Sequence, residues 1–308
     1  MRPAHFFGFF QHFNWRTLKK TFSRATERRL SGLSAEMAYN ATLALFPAIL
    51  AIMTAVGLFE DSLQSTLREK VSDYQEIVPD LAWQLLRDFV EGITKRRNKS
   101  LFSISFVAAI WISSGALSVA MNALDQIHQI PRQVRRPYWQ GKLISIILTM
   151  AAIALLVLAS FLIFISDLLM EATLAPNVAF LLLKIWYLLR WPVALAIVAL
   201  TFAFIYRFGV SRWQHGRPIL PGAMLAAFSW AGLSALFRLY VANFANYNKI
   251  YGAVGAVIVL MVWLHMSSLV MLIGDQLNAV VGEEMDKKKK KLIAMQAEQL
   301  MAKKQLKE

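Results

Sequence analysis

Eight residues interrupt or end long apolar runs with a group that could do chemistry: Tyr39, Asn40, Pro47, Asp125, Gly252, Gly255, His265 and Asp275. An ionisable or helix-breaking group among apolar neighbours is costly to keep, so each is a candidate for lining a substrate path. Pro47, in Leu-Phe-Pro-Ala, removes one backbone hydrogen bond and kinks its helix, which serves either packing or gating. Glu36, Tyr39 and Asn40 fall at i, i+3 and i+4 and share one helix face. Gly252 and Gly255, with Ala256, allow a tight helix crossing or a bent start. Asp125 has Arg132, Arg135 and Arg136 in the following loop as potential partners, and the alternative is a bound cation. His265 is either a hydrogen-bonded packing residue or a proton relay. It stands ten residues before Asp275, which is about 15 Å along a helix, so the two cannot pair directly.

Other chemistries lack their residues. The chain has no cysteine, which excludes thiolate catalysis, iron–sulfur clusters and Cys-ligated zinc. No phosphate-binding or dinucleotide glycine motif occurs, and no His-Glu-x-x-His. The five histidines are scattered, and the acidic residues lack ligand spacing for a two-metal nuclease. The expectation is therefore no enzyme, no cofactor and no metal.

The elements that position these residues follow from the composition. Of 308 residues 57% are apolar and 17% charged, yet the net charge is +14. An apolar chain with a basic excess fits an integral membrane protein whose Lys and Arg sit in loops. A bilayer core needs about 20 apolar residues per helix. Six runs qualify: about 37–59, 101–121, 143–166, 185–206, 219–237 and 253–274. In the fourth, Arg190 and Pro192 intervene, and the membrane helix is expected to start near Pro192. The second and fifth runs carry small residues (Ser113, Ser114, Gly115 and Ser118; Gly222, Ala226, Ala227, Ser229 and Gly232) that let helices approach closely. The fold expected is an all-α polytopic bundle of six transmembrane helices. The N-terminal segment 1–36 and the tail 275–308 flank a membrane domain over 37–274.

Two amphipathic helices are expected beside the spans. In 5–24, Phe6, Phe9, Phe10 and Phe13 precede Arg16, Lys19, Lys20 and Arg24, which suits either the membrane interface or docking on loops. In the first extracytoplasmic loop, 60–100, apolar residues recur every four positions from Ile77 to Ile93, as a helix packed on the span mouths or a lid.

Lys and Arg sort by side. Seven in 1–36, four in 122–142, three in 207–218 and eight in 275–308 place 22 on one side, against 11 on the other. The positive-inside rule then puts both termini in the cytoplasm. The expected partners are the bilayer and anionic lipids at the cytoplasmic face, met by Arg16, Lys19, Lys20 and the run Lys287, Lys288, Lys289, Lys290 and Lys291. The bland reading of that run is a solvated helical tail. Nucleic acid is not an expected partner, and a homo-oligomer remains open.

Ala38-Tyr-Asn-Ala-Thr-Leu-Ala-Leu-Phe-Pro47, Pro221-Gly-Ala223 with Trp230, Phe237 and Tyr240, and Tyr251-Gly-Ala-Val-Gly255 with Trp263 and Gly274 together resemble the YihY/BrkB inner-membrane family, once labelled ribonuclease BN. The resemblance covers roughly residues 25–285. It implies a six-helix, multi-pass protein of the bacterial plasma membrane and no secure activity. One departure stands out. Many members end the sixth span in Gly-Ala-Glu, whereas here it reads Gly274-Asp275-Gln276, which turns the carboxylate by about 100° around the helix. Two functions compete: transport or translocation of a small or lipidic envelope component, and a non-transporting scaffold that organises lipids or partners.

Overall fold

The computed structural model describes residues 14–58, 99–173, 176–212, 218–243 and 248–305. Among them the chain is helical apart from short connections and one 3-10 turn at Arg132–Val134. The elements are α1 (Trp15–Glu27), α2 (Leu30–Leu58), α3 (Lys99–Ile127), α4 (Tyr138–Thr173), α5 (Pro176–Gly209), α6 (Leu220–Asn243) and α7 (Asn248–Gln305). Helices α2 to α7 each hold a stretch long and apolar enough to cross a bilayer, from Leu30–Ala51 in α2 to the first part of Gly255–Gln296 in α7. Helix is the required choice there, because lipid offers no partner for backbone N–H and C=O groups. The loop helix expected within 60–100 and the Phe-rich start of 5–24 lie outside the described residues.

Local chemistry sets the helix ends. Asn14 caps α1, its side-chain oxygen accepting from the Thr17 amide at 2.9 Å. Arg29 then takes the left-handed conformation, φ 54°, and the chain turns into α2. Gln129 does the same after α3, at φ 54°. The Ile130 amide there reaches back to the Asp125 carbonyl at 2.9 Å, the bond that closes a Schellman-type end. Prolines behave differently. Pro47 lies inside α2, and α5 runs through Pro192 rather than starting at it. A transmembrane helix tolerates such a break where neighbouring helices satisfy the freed carbonyl.

The six long helices close a ring in chain order: α2 packs on α3, α3 on α4, α4 on α5, α5 on α6, α6 on α7, and α7 returns to α2. Helix α3 also touches α5 and α7 across the ring. The tightest packing lies at the end carrying α1 and the loop arginines, called the basic end below. Leu30, Ala120, Ala123, Leu124, Tyr206, Ala223, Leu272 and Ala279 are fully buried there. Further along the spans Phe46, Ile104, Trp111, Leu236 and Tyr240 are exposed apolar side chains.

A buried polar layer as candidate functional site

Five elements deliver polar groups to the basic end of the ring. On α7, Asp275, Gln276 and Asn278 are all buried. Three polar residues in four cannot share one helix face, so α7 is enclosed on every side at this level. Asp275 Oδ2 lies 2.9 Å from Nε2 of His128, which ends α3, and both side chains are nearly inaccessible. Arg28, in the turn between α1 and α2, donates to Gln276 Oε1 at 2.7 Å and to the Ile127 carbonyl at 2.8 Å. Asn278 accepts from the Gly222 amide and donates to the Ile219 carbonyl, both at 2.9 Å. Gly222 is in the first turn of α6, whose amides have no intrahelical acceptor, so Asn278 caps α6 from a different helix. The Tyr206 hydroxyl of α5 donates to the Met271 carbonyl at 2.6 Å. Among the described residues, Asp275 Oδ1 and Gln276 Nε2 are buried with no hydrogen-bond partner.

Beside this layer the α3–α4 connection is stapled to the end of α5. Asp125, also buried, accepts from the Ser211 amide at 2.7 Å and the Ser211 hydroxyl at 2.6 Å. Arg136 donates to the carbonyls of Phe208, Gly209 and Val210 at 2.9, 3.1 and 2.8 Å. A cation on the last carbonyls of a helix meets the negative end of its dipole. Burial lowers the Arg136 guanidinium from its ordinary range, while the Asp125 charge opposes that shift. Asp125 thus bonds a serine, and Arg136, one of the three arginines offered as partners, caps a helix instead. Asp125→Ala is expected to lower stability by about 1–3 kcal/mol, since it strands the Ser211 donors. Hydrogen exchange at the Ser211 amide checks this, and an unchanged rate would count against the staple.

The other sequence candidates are dispersed. Tyr39 is exposed. Asn40 donates to the Glu36 carbonyl at 2.9 Å, and its side chain faces Gly115 of α3. His265 Nδ1 lies 3.2 Å from the Ser34 hydroxyl. That hydroxyl has one hydrogen, which goes to the Ser31 carbonyl at 2.8 Å, so the ring nitrogen is the donor. Pro47 is in mid-span, and Gly252 and Gly255 are in the first turns of α7. Gly255 is 20 residues from Asp275, about 30 Å along the helix. Only Asp125 and Asp275 therefore meet in one region. Sequence reasoning missed Arg28 and His128 as members of the layer. A histidine next to a span end whose helix stops at that residue is a weak signal, and its partner is 147 positions away.

The basic patch is also divided. Lys20 pairs with Glu284 at 2.7 Å and Glu283 at 3.6 Å, and Arg24 pairs with Glu283. Lys287 pairs with Glu284 at 3.3 Å. Arg16, Lys19, Lys288, Lys290 and Lys291 are exposed.

Residues 21–299 match the family model described as virulence factor BrkB. The chain belongs to the BrkB family. Its BrkB relatives share modest identity over most of their length. The ribonuclease-like protein YfkH of Bacillus subtilis strain 168 is 29% identical over 265 residues, 86% of this chain and 94% of that one. UPF0761 membrane proteins of Aeromonas salmonicida and Alteromonas mediterranea are 27% identical over 290 residues and 26% identical over 277 residues. This chain covers 94% and 87% of their lengths. No solved structure matches this BrkB chain. The BrkB match takes in all six apolar helices and the complete polar layer.

Proposed function

We propose that this chain translocates a lipidic component of the envelope in the bacterial plasma membrane, with both termini in the cytoplasm and no bond-breaking step. One observation carries the reading. Six spans form a ring in chain order that is tightly closed at the basic end and presents exposed apolar side chains further along. A ring of that kind suits an amphiphile whose acyl chains stay in hydrocarbon, whereas a hydrophilic solute or ion would need a polar path. The 22 Lys and Arg on the basic side support its cytoplasmic placement and an affinity for anionic lipids there. The buried acids support a non-enzymatic role, because Asp125 and Asp275 are engaged in bonds that hold helices together.

The test is lipid translocation in proteoliposomes that hold a panel of envelope lipids. Wild type is expected to move at least one class, and Pro47→Ala to change that rate several-fold. No movement of any class would overturn the reading in favour of a non-transporting scaffold, acting as one copy or several. The closed polar layer is the observation that favours that second reading. Single-Cys scanning separates the two directly, since the chain has no native cysteine. A water-accessible row reaching Pro47 supports translocation, and a dry bundle supports the scaffold.

A further inference from the structure

Helix α1 touches α7 with two opposite flanks. Phe22 shares a groove of about 260 Å³ with Leu30 of α2 and Leu269 and Ile273 of α7. Lys20 and Arg24, each two residues from Phe22, reach Glu283 and Glu284 of the same helix. At about 100° per residue, Phe22 stands about 160° around α1 from both cations. Along α7, Ile273 and Glu283 are ten residues apart, about 15 Å, which exceeds the width of one helix. Helix α1 therefore lies across α7. One flank faces the apolar span at Leu269 and Ile273, and the other faces the charged extension beyond it. The side packed on the protein is made of small residues: Thr17, Thr21 and Ala25. The span-facing flank carries Trp15, 80% exposed, and Phe22, 56% exposed.

The cations divide in the same way. Those on the far flank, Lys20 and Arg24, are paired with glutamates. Lys19 and Arg29, which line the groove and its continuation along Trp15 and Leu18, have no acidic partner among the described residues. An apolar groove that opens onto the lipid-facing surface of two spans, with unpaired cations at its rim, matches the chemistry of an anionic amphiphile.

We propose that this groove binds one anionic glycerophospholipid of the leaflet at the basic end. An acyl chain lies along Phe22, Leu269 and Ile273, and the phosphate sits at Arg29, with Lys19 further along the same rim. The site deepens the affinity for anionic lipids put forward above and rests on that reading; it does not depend on translocation.

The test uses the full chain in nanodiscs of mixed phosphatidylglycerol and phosphatidylcholine, ejected for native mass spectrometry. Wild type is expected to retain one phosphatidylglycerol in preference to phosphatidylcholine. Arg29→Gly should lower that retention at least five-fold. It should do so without unfolding the chain, because residue 29 has φ 54°, where glycine is the favoured residue. Leu269→Trp, which fills the groove, should have the same effect with an unchanged thermal midpoint. Replacing Lys287–Lys291 with glutamines should reduce bulk enrichment of phosphatidylglycerol and spare the retained molecule. Equal retention by wild type and Arg29→Gly overturns the groove. If the lysine variant still loses enrichment in that case, the broader affinity stands; if no variant alters enrichment, both readings fall.

Discussion

Putting leucine at Gly222 or Gly274 is expected to leave almost no correctly assembled protein in the membrane. The two glycines sit where α6 crosses α7. A Cβ on Gly222 would meet the Gly274 carbonyl and the Asn278 side chain at once. A Cβ on Gly274 would lie 2.7 Å from both Ala226 Cβ and Tyr206 Oη, and 2.8 Å from the Gly222 carbonyl. Backbone atoms on both sides leave no flexible end to swing away. Even alanine at Gly274 should cost about 1–3 kcal/mol by overpacking, and leucine more. A side chain at Gly222 would also push Asn278 off the α6 terminus and strand the residue-222 amide. Gly232 is the control. Nothing lies within 4 Å of the Cβ it would gain, and Gly232→Ala should be neutral or stabilising by up to about 1 kcal/mol. Yield of monodisperse protein and thermal midpoint in detergent read the series. Equal behaviour of Gly232→Ala and Gly274→Ala would refute the crossing.

His128→Ala is expected to cost about 3–5 kcal/mol, the range for removing one member of a buried pair. It leaves the Asp275 carboxyl buried with neither oxygen partnered among the described residues. Asp275→Leu with His128→Leu should recover most of that loss, because it removes the buried carboxyl together with the imidazole that bonds it. A double-mutant cycle measures the difference, with a coupling of about 2 kcal/mol or more expected. Additive single and double losses would show that the two side chains do not act as a pair. Arg28→Met extends the test. It should be costly in wild type, where Gln276 Oε1 and the Ile127 carbonyl both lose their donor.

The six spans were legible because each is a long run of one kind of residue, and helix is the only local solution for it in lipid. Helix arithmetic along one chain segment was equally dependable. It separated His265 from Asp275, and each has its own partner, Ser34 and His128. What escaped is what depends on two distant segments meeting. Asp125 and the loop arginines are close in sequence, yet the short Asp125 side chain finds Ser211 just past α5, and the longer Arg136 reaches the last α5 carbonyls. The shift from Gly-Ala-Glu to Gly-Asp-Gln turns the carboxylate around the helix, and in the folded chain it places that acid opposite the histidine at the end of α3. Pro192 failed as a start signal because a membrane helix can run on past one missing backbone bond: α5 continues through it although Leu188 and Trp191 beside it are exposed.

Helix α7 follows the other five described spans in chain order, and that gives the polar layer a bearing on biogenesis. Until residues 274–278 leave the translocon, Arg28, His128 and the first amides of α6 have none of the α7 partners they acquire in the finished protein. The five preceding spans therefore hold the layer only in part, and the packing of α7 completes it in a single step, so a chain stalled before α7 differs at this level from one that carries it.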